Sequence, residues 1–136
     1  MRISAADFRF GKETPRRKAN RRQWHFVNSK SEPFSLTREL EQLLKASGEA
    51  SFAVVCSSVE TPSWGSFLWF DRLRITKTLG DLSEVAVSQT DRRVELQLTE
   101  SEIITFRDLL QANTDDRCFY VGAHDCIWIW ANGVGP

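Results

Sequence analysis

Cys126-Ile127-Trp128-Ile129-Trp130 is apolar at every position, so a strand built from it has no polar face to turn toward water. Such a strand needs cover on both sides, and the natural place for it is the centre of a sheet. It closes the stretch Arg93–Gly133, which carries the clearest local signals in the chain. Val94-Glu95-Leu96-Gln97-Leu98 alternates with period two, as a strand with one buried face does. Thr99 and Glu102 have the spacing of a capping box and predict a helix start, with Ile103, Phe106, Leu109 and Leu110 as the buried stripe and Ile104 outside it. Gly122-Ala123-His124-Asp125 then turns the chain between two closing strands, Cys118–Val121 and Cys126–Ala131.

The same logic applies upstream. Residues 3–10 predict a short strand ending at Gly11, and Trp24-His25-Phe26-Val27 another, with Trp24 and Phe26 on one face. Leu36, Leu40, Leu43 and Leu44 make one apolar stripe on a helix from about Leu36 to Ser47, with Ser35 as N-cap, Gly48 past its end and Glu41–Lys45 as an exposed pair. Ser51–Val59 predicts an interior strand and Trp64–Asp71 an aromatic one. Arg72–Leu79 fits either a continuation strand or a loop. Val85–Ser88 and Val94–Leu98 predict a hairpin across Thr90–Arg93. The resulting order is roughly β-β-α-β-β-β-β-α-β-β, with a strand–helix–strand–strand unit around each helix. The expected fold is α+β: one mostly antiparallel or mixed sheet with two helices packed on one face.

Composition sets the bounds. With 136 residues, 41% hydrophobic, five Trp and nine Phe, the chain is long enough for one normal core. No apolar run approaches the roughly 18 residues of a membrane helix, and Arg2, Asp7 and Arg9 interrupt any signal-peptide core. Three cysteines without CxxC spacing suit neither a disulfide framework nor a zinc site, and all three read as small buried hydrophobes. A cytoplasmic protein without membrane contact is expected. The zero net charge conceals an asymmetry, +7 over residues 1–30 and −7 over 31–136. We therefore expect a basic N-terminal segment, residues 1–22, mobile or surface-bound, ahead of a single domain over residues 23–136.

Three sites are candidates. Arg16, Arg17, Lys18, Arg21 and Arg22 form a basic cluster that could bind a polyanion or lie on the protein's own acidic surface. Trp64, Phe67 and Trp69 on the aromatic strand are expected to bind a partner, with Trp64 or Trp69 exposed. Ser66-Phe67-Leu68-Trp69-Phe70 resembles the aromatic strand of RNA-recognition motifs, where rings stack on bases. Ser63 and Trp64 stand where that family has basic and glycine positions, and two further strands precede the second helix, so the family is not carried over. His124, beside Asp125 and Cys126, is the third candidate, a small enzyme's site. That site needs a pocket there and a thiol that ionises, and an apolar strand holds a thiol neutral. The metal candidates His25, His124, Asp115, Asp116 and Asp125 lack ligand spacing, and no phosphate-binding glycine pattern is present, so neither metal nor cofactor is expected. The leading expectation is a non-enzymatic protein that binds another protein or itself, with the general form of small inhibitor or immunity proteins; single-stranded nucleic-acid binding through the basic segment and the aromatic strand is the alternative.

Overall fold

A computed structural model describes residues 3–5, 8–13, 21–28, 35–56, 67–88, 90–112 and 117–130. In chain order the elements are β1 (Ile3–Ala5), β2 (Phe8–Glu13), β3 (Arg22–Asn28), α1 (Leu36–Lys45), β4 (Ala50–Val55), β5 (Phe67–Phe70), β6 (Arg72–Lys77), β7 (Glu84–Ser88), β8 (Arg93–Leu98), α2 (Glu100–Ala112), β9 (Arg117–Val121) and β10 (Asp125–Trp130). The α+β class holds, but the strands form two sheets and not the single one expected. The first sheet has the order β1-β4-β6-β8-β7 and the second β5-β2-β3-β10-β9. Alternation along each strand decides what faces inward. Val94, Leu96 and Leu98 of β8, Leu73 and Ile75 of β6, and Phe52 and Val54 of β4 point into the core from the first sheet. Phe8, Phe10, Trp24, Phe26, Phe119, Ile127 and Ile129 do so from the second.

The helices complete that core. Leu36, Leu40 and Leu43 of α1 and Ile103, Phe106 and Leu110 of α2 are buried, while Ile104 stays outside. α1 lies against β4 and β6, α2 against β9, and the two helices touch each other. They are thus shared between two sheets, and do not sit together on one face of a single sheet. Phe106 joins α2 to the second sheet through ring contacts with Phe26 at 5.0 Å and Phe119 at 5.1 Å. Burying an aromatic ring this completely is worth several kcal/mol against truncation, roughly 3–5 for Phe to Ala.

Local expectations differ in outcome. The capping box forms, Thr99 N donating to Glu102 Oε1 at 2.8 Å and Glu102 N to Thr99 Oγ1 at 3.3 Å. Ser35 has helical dihedrals and makes no capping hydrogen bond, so α1 starts without the predicted cap. Glu41 accepts from Gln111 Nε2 of α2 at 2.9 Å, a tie between the helices. The described part of the aromatic strand is Phe67–Phe70, and it lies at the edge of the second sheet. Arg72–Lys77, ambiguous by sequence, is the middle strand of the first sheet. Asp71 alone separates β5 from β6, so the chain crosses from one sheet to the other in a single residue. Arg92 O holds that corner, accepting from Asp71 N and Arg72 N at 3.2 Å each.

β2 falls within the predicted basic segment, yet it pairs with β5 on one side and β3 on the other, with Phe8 and Phe10 buried. That part of residues 1–22 belongs to the body of the fold. No helix among the described residues is long and apolar enough to cross a membrane.

The chain also repeats. β2-β3-α1-β4-β6 and β7-β8-α2-β9-β10 are each a hairpin, a helix and a second hairpin, with β5 an extra strand inside the first. Their inner strands align as β2-β3-β10-β9 in one sheet and β7-β8-β6-β4 in the other. Both runs are paired antiparallel, parallel, antiparallel. Each half supplies one hairpin to each sheet.

Candidate interaction face on the second sheet

Five strands bring one row of side chains onto the outer face of the second sheet. Trp69 of β5 pairs with Gly11 of β2, Gly11 with His25 of β3, His25 with Trp128 of β10, and Trp128 with Cys118 of β9. Trp130 and Gln23 stand on the same face, one step along β10 and β3. The row has a physical logic. A Cβ on Gly11 would lie 2.8 Å from Trp69 Cε3, so only glycine lets the indole lie flat across β2.

His25 is the centre of the face and is only 2% exposed. Its ring is stacked with Trp128 at 6.3 Å and Trp130 at 6.2 Å, and the two indoles are 6.1 Å apart. Trp130 Nε1 donates to His25 Nδ1 at 2.9 Å, and Trp128 Nε1 donates to Gln23 Oε1. Because Nδ1 accepts, the neutral ring carries its proton on Nε2, which faces Glu13 Oε2 at 3.4 Å. Glu13 favours the charged ring, but burial lowers the His25 pKa to about 4. Burial prevails, and the neutral ring keeps Nδ1 as the acceptor for the indole. The result is a rigid aromatic platform whose indole N–H groups are already satisfied.

At the β9 edge of this face Tyr120 is 61% exposed, and Arg21 lies over its ring at 4.3 Å. Arg21 also donates to Gly122 O at 3.1 Å. Arg22 Nε and Nη2 grip Asp125 at 2.8 and 3.0 Å, and Arg22 Nη2 reaches Val85 O at 3.0 Å. Asp125 is buried and accepts a further bond from Trp24 Nε1 at 2.8 Å. Two of the five predicted polyanion-binding residues are thus engaged by the protein itself. Arg16, Arg17 and Lys18 lie outside the described residues.

The predicted partner-binding aromatics divide similarly. Trp69 is buried, 8% exposed, with Gly11 beneath it and Arg9 at 5.7 Å above, so the expectation that Trp64 or Trp69 is exposed rests on Trp64. Trp64 and the side chain of Phe67 lie outside the described residues. His124 is exposed in the β9–β10 turn, where the enzyme reading required a pocket, and its carbonyl accepts from Arg22 N at 2.8 Å. Cys126 next to it is buried, and that burial, with the neighbouring Cys118 thiol, pushes its pKa up to about 12. Cys118 itself is exposed, against the expectation of three core cysteines. Among the described residues no group of three or more His, Cys, Asp or Glu could hold a metal ion.

No family model, characterised protein or solved structure matches this chain. The face therefore has to be read from its own chemistry. Sequence reasoning missed it because Trp128 and Trp130 sit in an uninterrupted apolar run. One signal was available: an indole N–H needs an acceptor when buried, so two Trp at alternate positions imply polar partners across the strand.

Proposed function

We propose that this chain is a cytoplasmic, non-enzymatic protein that binds another protein through the outer face of its second sheet. The observation that carries the reading is the half-buried pair Trp128 and Trp130, held rigid around the neutral His25, with exposed Tyr120 beside them. Tyr and Trp supply large contact area at low entropic cost, and they dominate binding energy at protein interfaces. Their polar edges are satisfied internally, so the flat faces are what remains to offer a partner. Catalysis fits this face poorly, since its buried imidazole resists protonation and its buried thiol resists ionisation. Nucleic-acid binding is the weaker reading, because Arg21 and Arg22 serve the protein's own contacts.

The test is capture from native extract, after nuclease treatment, by the wild type and by Trp128→Ala, Tyr120→Ala and Leu82→Ala, with circular dichroism confirming folding. Leu82 is the control, an exposed apolar residue off this face. Proteins retained by the wild type and Leu82→Ala but lost from the other two support the reading. Equal retention by all four removes it, and a species of twice the mass on sizing columns replaces the foreign partner with a second copy.

A further inference from the structure

The outer face of the first sheet carries a different chemistry. Register places Val55, Arg72 and Arg93 in one cross-strand row and Ala53, Arg74 and Glu95 in the next. The short side chains on β4 leave a floor and the arginines of β6 and β8 form walls, enclosing a cavity of about 320 Å³. Arg72 and Arg93 are directly opposed across a parallel pair, an arrangement that costs stability when nothing lies between the charges. Three guanidinium groups line this cavity with one carboxylate, Glu95. Among the described residues Arg93 pairs with Asp91 outside the cavity lining, at 3.8 Å and exposed. Arg74 spends one amine on Ser51 Oγ at 3.3 Å, and its buried Nε has no acceptor among the described residues. One step along the same face of β6, Thr76 Oγ1 is buried and without a partner among the described residues. A buried N–H without an acceptor costs about 1–3 kcal/mol, so such groups are rare unless something supplies the acceptor.

From the cavity, the opposed arginines and the unanswered N–H together, we infer that this site binds the phosphate group of a small phosphorylated molecule. A phosphate dianion placed between Arg72 and Arg93 turns their repulsion into two charge-assisted bonds, and the planar guanidinium forks match its oxygens. Arg74 Nε supplies a further donor. The volume is at the lower end of small-ligand sites, roughly 300–1,000 Å³, which suits a compact ligand better than a polymer.

The experiment is calorimetric titration and thermal denaturation of the full chain with inorganic pyrophosphate and with adenosine 5′-phosphate, at low salt. Saturable binding with a rise in Tm is expected. Arg74→Ala, Arg72→Ala and Arg93→Ala should each weaken it by at least about tenfold, the loss of one charge-assisted contact. Arg107→Ala removes the same charge from an α2 position beside Asp108 and should leave affinity within about twofold. If Arg74→Ala does not fold, the exposed positions Arg72 and Arg93 carry the test. Absence of binding overturns the site, and so does a loss as large in Arg107→Ala as in the cavity variants. A single-stranded oligonucleotide that binds far more tightly than either small anion, and is lost in the same variants, overturns the small-molecule assignment in favour of a nucleic-acid backbone.

Discussion

His25 shows how much one side chain's surroundings decide. In the unfolded chain its pKa is the ordinary 6.5, and in the fold burial lowers it to about 4. Between those values the unfolded chain binds a proton that the folded chain refuses, so stability is complete above pH 6.5 and falls as pH drops toward 4. The contribution at stake is on the order of 3 kcal/mol. Urea unfolding at pH 7 and pH 4.5 should show a larger loss for the wild type than for His25→Gln, in which the shared titration of carboxylates remains; equal losses would mean the ring is protonated in place. Asp125 is the complementary case, a buried carboxylate whose oxygens accept three hydrogen bonds, two from Arg22 and one from the Trp24 indole. Neither environment could be read from the sequence. Arg22 and Asp125 are more than a hundred positions apart, and His25 meets Trp130 only once β3 and β10 are side by side.

At the scale of elements, local chemistry was legible where a strong apolar period or the reciprocal Thr99–Glu102 cap was present. The stripe of α2, its Thr99–Glu102 box, the hairpin of β7 and β8, and the β9–β10 hairpin all follow from neighbours in the chain. Edges and middles were not. β6 alternates Arg72, Leu73, Arg74, Ile75, Thr76, as a strand with one wet face does, yet its polar half made it read equally as loop. Strand membership in two sheets depends on pairings between β3 and β10 and between β6 and β8, which no local pattern encodes. Glu102 marks where local and distant signals meet. Besides capping α2, it accepts from Ser83 Oγ at 2.9 Å and from Gly122 N at 3.3 Å, where Gly122 turns with φ +58. We expect Glu102→Ala to cost about 2 kcal/mol in chemical denaturation, more than the roughly 1 kcal/mol of an ordinary cap. A loss no larger than that of Thr99→Ala would limit Glu102 to the cap.

Across the whole molecule, the repeated hairpin–helix–hairpin unit is intertwined and not stacked. Each half gives one hairpin to each sheet, and among the described residues the halves join within the sheets through the parallel pairs β3–β10 and β6–β8. Neither half owns a finished sheet or a closed core. Peptides 1–80 and 81–136 should each be largely unfolded by circular dichroism and regain strand signal when mixed; a half that folds alone would show that the core is divisible. The Leu43-Leu44-Lys45-Ala46 and Leu109-Leu110-Gln111-Ala112 helix ends hint at the repeat in sequence, but four positions carry little weight beside the matching strand order. The β3–β10 pairing also has a consequence for biosynthesis. Arg22–Asn28 is made before its parallel neighbour Asp125–Trp130, which is added roughly a hundred residues later. At the roughly 5–20 residues per second of translation, β3 waits several seconds or more with one side unpaired, and Trp24 and Phe26 wait with it. Until then the open edge of β3 is the kind of surface that chaperones cover, and the β3–β10 pair closes only when Asp125–Trp130 has been made.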